Sequence, residues 1–521
     1  DEAFITRAMA SPYMDVESGS GGSIPPVKSR KWTWLTLLAG AVLVGVGVIA
    51  MATSSSSEDP GSGYADAVTL DAVMDHLEKL DKIAARFNHS RSVVNGYNMS
   101  AEYIVEQLST RTNFRVYKQH LVVPVYKEIL EPKLTLLLPE NEAPLHFTNQ
   151  RDFTGLRYGG NGRVSVQAPV VHVKNFGCEL EDFNVTNVTG IGPDEPVIFL
   201  IDSGRCDYFV KASNAEQWPG TQAAIIARTK AEEAFGLPGA RVRKTGWLMG
   251  DPLITIPVLG ASYSTAQALL LVGGQANISI HTQVTMEHTY NVIADSPKGN
   301  SNRTIVAGAH LDSVAEGPGL NDNGSGSAMI LELALQWGAT VKSPQNQVRF
   351  AWWGAEEIGL LGSYHYVDQL KPYQRASIAC ALNFDMMASP NGQRQVHNGT
   401  LTPRNTSSDV VERSNRITDL FGNFFDSEDI AWRGTATTGG SDFLPFVLKQ
   451  IPVGGLNTGA GAYKTMDERA EFGGFANAPM DPCYHQPCDT LPNIGKDILR
   501  DITQAAATVL HNLGHDSSLM Q

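Results

Sequence analysis

Positive charge is scarce in this sequence. Its 521 residues include 40 Lys and Arg against 54 Asp and Glu, which gives a formal net charge of -14. An acidic surface repels nucleic acid and anionic lipid headgroups, so nucleic acid is excluded as a partner. We otherwise attribute the negative net charge to the need for a soluble surface. The 42 % apolar content suffices for a core, and the length predicts two or three domains.

Several common catalytic motifs are also absent. The sequence has no His-Glu-x-x-His helix, no P-loop and no credible Gly-x-Ser-x-Gly nucleophile elbow. These absences remove the thermolysin-like metalloproteases, the P-loop nucleotidases and the α/β-hydrolases from consideration.

Cysteine is sparse, with five residues in the whole chain. Cys483 and Cys488 are close enough in sequence for a small disulfide loop, and Cys178 and Cys206 could bridge a second domain. Cys380 would then be a buried free thiol. Asn-x-Ser/Thr sequons occur at Asn88, Asn98, Asn184, Asn187, Asn277, Asn302, Asn323, Asn398 and Asn405. This density is typical of a glycoprotein of the secretory pathway.

Long apolar runs are missing except at residues 32–52, which have the roughly 20 residues that a bilayer requires. Basic residues precede the run, and they place the N-terminal side in the cytoplasm. We therefore expect a cytoplasmic tail at 1–31, a transmembrane signal-anchor at 32–52 and a stalk at 53–64. The rest of this type II membrane protein would be extracellular or in a vacuolar or lysosomal lumen. A signal cleaved near Ala52, giving a secreted protein, is the alternative.

The remainder of the chain divides by texture into three segments. Residues 65–146 begin with apolar residues at helical spacing and continue with strand-like segments. Residues 147–284 contain short apolar runs split by Gly, Pro and Asn, which indicates a compact insert of mixed strand and helix. In residues 285–521 strands alternate with helices. That alternation predicts an α/β fold with a mostly parallel mixed sheet flanked by helices.

Candidate metal ligands follow three successive predicted strands. His310 and Asp312 come after Thr304–Ala309, the pair Glu356 and Glu357 comes after 347–353, and Asp385 comes after 378–384. The carboxyl ends of strands are where open α/β sheets build their sites. Two loops add candidates: a tight turn carries Asp322, and the segment between Cys483 and Cys488 carries His485.

Imidazole nitrogen and carboxylate oxygen are ligands that suit zinc. Five candidate ligands favour two ions over one, because one carboxylate can bridge them. Paired zinc ions produce a hydroxide near neutral pH and polarise a scissile carbonyl. A neighbouring acid that does not bind metal must then move the proton. The adjacent pair Glu356 and Glu357 can supply one residue for each role.

These residues resemble the co-catalytic di-zinc aminopeptidases of metallopeptidase clan MH, such as the bacterial leucyl aminopeptidases and vacuolar aminopeptidase Y. The resemblance covers roughly residues 286–515, and 65–140 look like the family's first helices and strands. The insert resembles a protease-associated domain. The matching blocks, in family order, are Gly308–Ser313, Asn321–Gly326, Phe350–Glu357, Leu382–Asp385, Gly439–Asp442 and Cys483–His485.

The resemblance implies a zinc exopeptidase fold and two zinc ions per chain. One zinc would be held by His310 and Asp385, the other by Glu357 and His485, and Asp322 would bridge them. Glu356 would be the general base. Asp312 would orient His310, and Tyr484 would bind the developing oxyanion. The substrate would be a peptide with a free N-terminus, its amine lying near Glu356 and Asp385.

One block departs from the family pattern. Some relatives have an arginine before the Ser-Asp pair, whereas Gly440 precedes Ser441 and Asp442 here. A substrate contact by that arginine is therefore not carried over, and Asp442 is assigned only a local structural role.

Three other functions are compatible with parts of this pattern. A carboxypeptidase or dipeptidase of the same clan would have the same ligand geometry. A glutaminyl cyclase uses one zinc, which fits less well with two retained histidines. A non-catalytic ectodomain like that of the transferrin receptor would be expected to have lost ligands, and all five are present.

Overall fold

A computed structural model describes residues 62–138, 142–184, 190–239, 241–271 and 275–518. The expected tail at 1–31, the anchor at 32–52 and most of the stalk at 53–64 lie outside these residues. Within the described part of the chain, no helix is long and apolar enough to cross a membrane. The structure differs from the predicted stalk at its end, because a helix begins at Ser62 and Tyr64 is buried, donating a hydrogen bond to Leu333 O at 3.0 Å.

Strands and helices alternate along most of the described chain. The strands are β1 Arg115–Leu137, β2 Leu145–His146, β3 Phe153–Gly155, β4 Gly162–His172, β5 Val197–Asp202, β6 Thr221–Ala227, β7 Val258–Ala261, β8 Gln275–Asp295, β9 Asn300–His310, β10 Asn346–Trp353, β11 Ile378–Asp385, β12 Gln395–His397, β13 Arg433–Thr435 and β14 Val453–Asn457. The α-helices are α1 Ser62–Ala67, α2 Leu70–Ala84, α3 Tyr97–Arg111, α4 Tyr208–Glu216, α5 Tyr263–Leu271, α6 Gly326–Thr340, α7 Leu361–Gln369, α8 Pro372–Ala376, α9 Ser408–Ser427, α10 Phe443–Leu448, α11 Met466–Phe472 and α12 Lys496–His515.

The peptidase part of the sheet is mostly parallel at its centre, as the alternation predicted. Strands β14, β11, β9 and β10 run parallel in that order, with antiparallel β12 beside β14 and antiparallel β8 beside β10. All eight residues of β11 are buried. Continuous burial is expected of a parallel strand covered on both faces, and it explains why this segment is an apolar run in the sequence.

Helices cover both faces of this sheet. Buried side chains of α2, α3, α6, α9 and α12 form the core on one face, and those of α7 and α10 form most of the core on the other. Helix α6, which follows the Asp322 turn, is buried along most of its length. The predicted mixed α/β sheet flanked by helices is confirmed.

A long antiparallel ribbon joins the peptidase part to the insert. Strands β1 and β8 pair from Arg115 with Asp295 to Leu137 with Gln275. The outer part of β8 also pairs with β4, which leads into the parallel strands β5, β6 and β7 of the insert. The predicted insert border at residue 284 therefore lies inside a strand, because β8 belongs to both modules.

The cysteines pair as the sequence suggested. Cys178 is bonded to Cys206 within the insert, Cys483 is bonded to Cys488, and Cys380 is a buried free thiol on β11. Two disulfides are typical of an extracellular or secretory compartment.

The central position of β11 gives a stability prediction. Leu382 is buried on β11 between β9 and β14, and a buried Leu→Ala change costs about 2–5 kcal/mol. We expect Leu382→Ala to lower the midpoint of urea unfolding. Leu401→Ala, where the side chain is 46 % exposed, is the control and should change stability by less than about 0.5 kcal/mol. Equal midpoints for the two variants would contradict this packing.

Candidate metal centre

Three neighbouring strands deliver acidic and imidazole side chains to one edge of the sheet. His310 is the last residue of β9, Asp385 is the last residue of β11, and Glu356 and Glu357 follow the end of β10. Because these strands are parallel neighbours, their carboxyl ends meet at that edge. His485 reaches the same place from the loop closed by the Cys483–Cys488 disulfide.

Asp322 lies between the two histidines. Its Oδ1 is 3.2 Å from His310 Nε2, and its Oδ2 is 3.1 Å from His485 Nε2. The turn at Leu320–Ser325 that carries it is fixed by Asp489, whose carboxylate accepts hydrogen bonds from Asn321 N at 2.9 Å and Asp322 N at 3.0 Å. One carboxylate thus faces two imidazoles, as a bridging ligand must.

Each histidine also faces a carboxylate of its own. His310 Nε2 is 3.3 Å from Asp385 Oδ1, and His485 Nε2 is 3.2 Å from Glu357 Oε2. The structure therefore brings together all five sequence-predicted ligands, in two groups that share Asp322. In one subset, His310, Asp322 and Glu357, one ligand atom from each residue lies within 4.8 Å of the others.

The ring of His310 is oriented by a backbone carbonyl. Its Nδ1 is 3.0 Å from Asp312 O, an acceptor, so Nδ1 carries a proton and Nε2 is the ring nitrogen that faces the carboxylates. The Asp312 carboxylate is farther, with Oδ1 at 3.8 Å from Nδ1. That carboxylate instead accepts hydrogen bonds from Glu356 N at 3.1 Å and Glu357 N at 3.3 Å. Asp312, the residue expected to orient His310, therefore contacts it most closely through its main-chain carbonyl.

Glu356 lies beside the five ligands without joining their closest contacts. Its Oε2 is 4.0 Å from His310 Nε2, and its side chain is 11 % exposed. Burial, reinforced by the charges of Glu357, Asp442 and Asp385 and opposed by His310, raises the pKa of Glu356 well above its usual value. Tyr484 stacks on His485 with 3.8 Å between ring centroids, and both line the same cavity as Glu356.

The charge of this cluster fits a bound cation. Burial alone would lower the pKa of His485, but Glu357 and Asp322 raise it to about 11. Burial also acts to lower the pKa of His310, but the charges of Asp385 and Glu356 outweigh it and raise that pKa well above its usual value. In addition, Glu357 Oε1 and Asp385 Oδ1 are buried carboxylate oxygens that accept no hydrogen bond from the described residues. A group of carboxylates with spare lone pairs and two imidazoles is the donor set that zinc prefers.

A cavity of about 190 Å³ opens onto the ligands. Asp322, Glu356, Glu357 and Asp385 form its acidic wall, and no Lys or Arg is among the described residues that line it. The remaining wall is apolar or neutral, formed by residues that include Met386, His397, Thr435, Phe443 and Ala460. Such a cavity favours a cationic group at its acidic end and a side chain of modest size beyond it.

Arg91 was missed by the sequence analysis. It is fully buried between α2 and α3, and its guanidinium donates hydrogen bonds to Leu311 O, to Pro318 O at 2.8 Å and to Gly319 O at 2.5 Å. Burial lowers its pKa to about 10, against the opposing charges of nearby carboxylates. Arg91 therefore holds the loop between His310 and Asp322 and adds a positive charge beneath it. Its sequence neighbours are serines, and they give no signal of this role.

Two further residues support the ligands. Ser441 donates its hydroxyl hydrogen to Asp385 Oδ2, and Asn383 Nδ2 donates to Ser441 Oγ at 2.8 Å. Asp442 accepts a hydrogen bond from the Ser363 hydroxyl, which is in keeping with its expected local role. Asp489 directly follows Cys488 in the sequence. Its closeness to the candidate ligand His485 was the sequence signal that could have identified it.

The fold and this site define a metallopeptidase, and comparisons with known proteins agree. Residues 291–510 match Peptidase family M28, and residues 166–269 match the PA domain. An aminopeptidase of Pseudomonas aeruginosa is 33 % identical over 453 residues, covering 84 % of this chain and 79 % of that protein. A probable lipoprotein aminopeptidase of Mycobacterium tuberculosis, LpqL, is 35 % identical over 442 residues, with coverage of 83 % and 82 %. The chain belongs to peptidase family M28.

Solved structures show the same fold. An aminopeptidase from Aneurinibacillus sp. strain AM-1 superposes with a TM-score of 0.65 at 21 % identity, covering 88 % of this chain and 97 % of that one. The zinc aminopeptidase BSAP from Bacillus subtilis gives a TM-score of 0.53 at 22 % identity, with coverage of 86 % and 96 %. The predicted enzyme class, a metallo-exopeptidase of this family with an inserted protease-associated domain, is confirmed.

The buried hydrogen bonds of Arg91 give a second prediction. Arg91→Met would leave the carbonyls of Leu311, Pro318 and Gly319 without donors, at about 1–3 kcal/mol for each buried acceptor. We expect a lower unfolding midpoint and less bound metal in the purified protein, measured by thermal unfolding and atomic absorption. Arg86→Met, at an exposed position, is the control. The interpretation fails if both variants keep the parent's midpoint and metal content.

Proposed function

We propose that the protein is a di-zinc aminopeptidase that removes the N-terminal residue of peptides. The observation that carries this proposal is Asp322, whose two oxygens face His310 and His485. His310 and Asp385 would hold one zinc ion, Glu357 and His485 would hold the other, and Asp322 would bridge them. When bound, such a pair lowers the pKa of water and polarises a carbonyl group.

Glu356 is assigned the proton transfers. Its carboxylate lies at the edge of the ligand group, 4.0 Å from His310 Nε2, where it can accept and release a proton without binding metal. It would take a proton from the attacking water and return it to the leaving amine. Asp312 keeps Glu356 in place by accepting the hydrogen bond of its main-chain N–H.

Tyr484 is assigned to the oxyanion. Burial raises its pKa well above the usual value, so the phenol stays protonated and can donate a hydrogen bond. Its stacking on His485 keeps it beside the ligand group.

The cavity supports the amino terminus as the group that is recognised. A free α-amine is a cation that the carboxylates of Glu356 and Asp385 would attract. A carboxypeptidase of this clan would need a positive side chain in that wall, and the described lining has none. This favours an aminopeptidase over the carboxypeptidase alternative.

The domain borders and the compartment also belong to the proposal. We take residues 65–146 and 285–521 as the two parts of the peptidase and 147–284 as the protease-associated insert. A membrane anchor at 32–52, or cleavage near Ala52, would deliver the domain to the secretory pathway, where the two disulfides are stable.

A general base that does not bind metal can be tested by one substitution. Glu356→Gln should lower the turnover of leucine amide by about 10²–10⁴-fold while two zinc ions per chain remain bound. Glu316→Gln, an exposed position, should keep parent activity. Undiminished turnover by Glu356→Gln would remove Glu356 from the mechanism. A parent protein that binds no zinc would favour a non-catalytic ectodomain.

Terminus recognition gives a separate prediction. Leucine amide and a leucyl tripeptide should be hydrolysed, because each offers a free amine to the acidic wall. Their N-acetylated forms should resist, while amidation of the C-terminus should have little effect. Mass spectrometry of the products would reveal cleavage from the carboxyl end, which would favour the carboxypeptidase alternative instead.

A further inference from the structure

The loop that carries the proposed base and one proposed ligand is held from two sides. This glutamate loop, residues 354–360, connects β10 to α7. On one side, the main-chain N–H groups of Glu356 and Glu357 donate to the carboxylate of Asp312. On the other side, the main-chain carbonyls of Glu357 and Ile358 point away from the peptidase part and towards the insert.

Two arginines of the insert bind those carbonyls. Arg241 Nη2 donates to Glu357 O at 2.6 Å, and Arg243 Nη2 donates to Ile358 O at 2.6 Å. Hydrogen bonds from a charged donor are stronger than neutral ones. A rigid, planar guanidinium also fixes the acceptor's direction better than a lysine would. Consecutive residues of the glutamate loop are thus bound by the insert.

The residue between these arginines fixes them to the insert. Val242 is fully buried in the insert's core, and its N–H donates to Arg157 O at 2.9 Å. The Arg243 guanidinium lies 5.0 Å from the ring centre of Tyr158. Because the Val242 side chain points into the core of the insert, the arginines on either side of it point towards the glutamate loop.

The residues that follow extend this contact. Trp247 is buried in one apolar cluster with Ala355 of the glutamate loop and with Leu361, the first residue of α7. Asp251 closes the segment by accepting hydrogen bonds from Leu248 N at 2.9 Å and Lys244 Nζ at 2.8 Å. Residues 241–251, which we term the clasp, therefore form a closed element of the insert that packs on the glutamate loop.

The glutamate loop is fitted to the clasp at Gly359. Its φ is +116°, and a Cβ there would lie 2.4 Å from Arg243 Nη2 and 3.0 Å from Arg241 Nη1. A side chain would displace the arginines. Gly359 therefore meets both a backbone requirement and a close approach of the insert.

We propose that the insert is a positioning element of the catalytic centre. Through Arg241 and Arg243 it fixes the carbonyl side of the glutamate loop, while Asp312 fixes the amide side. Glu357 is thereby held at its metal and Glu356 at its proton-transfer position. This inference rests on the proposed function.

The test compares the double variant Arg241→Ala/Arg243→Ala with Arg205→Ala. Arg205 is an exposed arginine of the same insert whose guanidinium lies over Phe176. In the double variant, we expect one of the two zinc ions to be lost at about 10-fold lower chelator concentration, the effect typical of residues that support metal ligands. The kcat for leucine amide should fall while its KM stays nearly constant. Arg205→Ala should match the parent protein in both assays.

Hydrogen exchange of the zinc-loaded full chain separates positioning from general stability. In the double variant, exchange should rise in peptides that contain residues 354–361 and stay unchanged in β5 and β6 of the insert. No rise in the loop, or an equal rise throughout both modules, would overturn the proposal. If the double variant does not fold, zinc retention and hydrogen exchange are measured on Arg241→Lys in its place. It keeps the charge without the guanidinium fork, so it should retain an intermediate zinc affinity.

Failure of this proposal can be distinguished from failure of the catalytic proposal. Glu356→Gln tests the chemistry, whereas zinc retention and exchange of the glutamate loop test the clasp. Parent-like activity of Glu356→Gln together with a loosened loop in the arginine variant would reject the mechanism and keep the clasp. Loss of activity in Glu356→Gln with an unchanged loop in the arginine variant would do the reverse.

Discussion

Buried negative charge is the constraint on which the rest of this structure depends. The carboxylates of Asp312, Asp322, Glu356, Glu357 and Asp385 lie around two imidazoles and are largely withdrawn from water. Like charges at such distances repel strongly where the dielectric constant is low. The fold must therefore place hydrogen-bond donors and positive charge around these carboxylates.

The compensation differs from one carboxylate to the next. Asp312 and Asp489 accept main-chain N–H groups, and Asp385 accepts the Ser441 hydroxyl. Arg91 adds a buried positive charge beneath the Asp322 turn. Glu357 Oε1 and Asp385 Oδ1 accept no hydrogen bond from the described residues, and Asp385 Oδ1 lies 3.3 Å from His310 Nε2. Only part of the negative charge is neutralised by protein groups, and the remainder is concentrated where cations would bind.

The predictability of the site followed from where its residues lie in the chain. His310, the glutamate pair and Asp385 are at or just beyond the ends of apolar strands, and parallel pairing makes those ends converge. Arg91, Arg241 and Arg243 could not be predicted in this way, because they bind main-chain carbonyls that every sequence possesses. The same limit applies to the main-chain carbonyl of Asp312, which contacts His310 Nδ1.

The fold was predicted well except along its longest ribbon. The sequence indicated separate strand-like segments within residues 65–146, where the structure has the single long strand β1. Residues 128–131 in its middle are exposed and include two register shifts, so they lack the apolar pattern that marks a strand. Backbone pairing with β8 resumes beyond the two shifts, because it does not depend on side-chain burial.

That ribbon makes the insert an optional module in topological terms. Strands β1 and β8 are neighbours along their whole length, so a short turn placed between them would remove the insert and leave the order of the peptidase strands intact. Such a shortened chain would also lack the clasp, so it would need new hydrogen-bond donors for the carbonyls of Glu357 and Ile358.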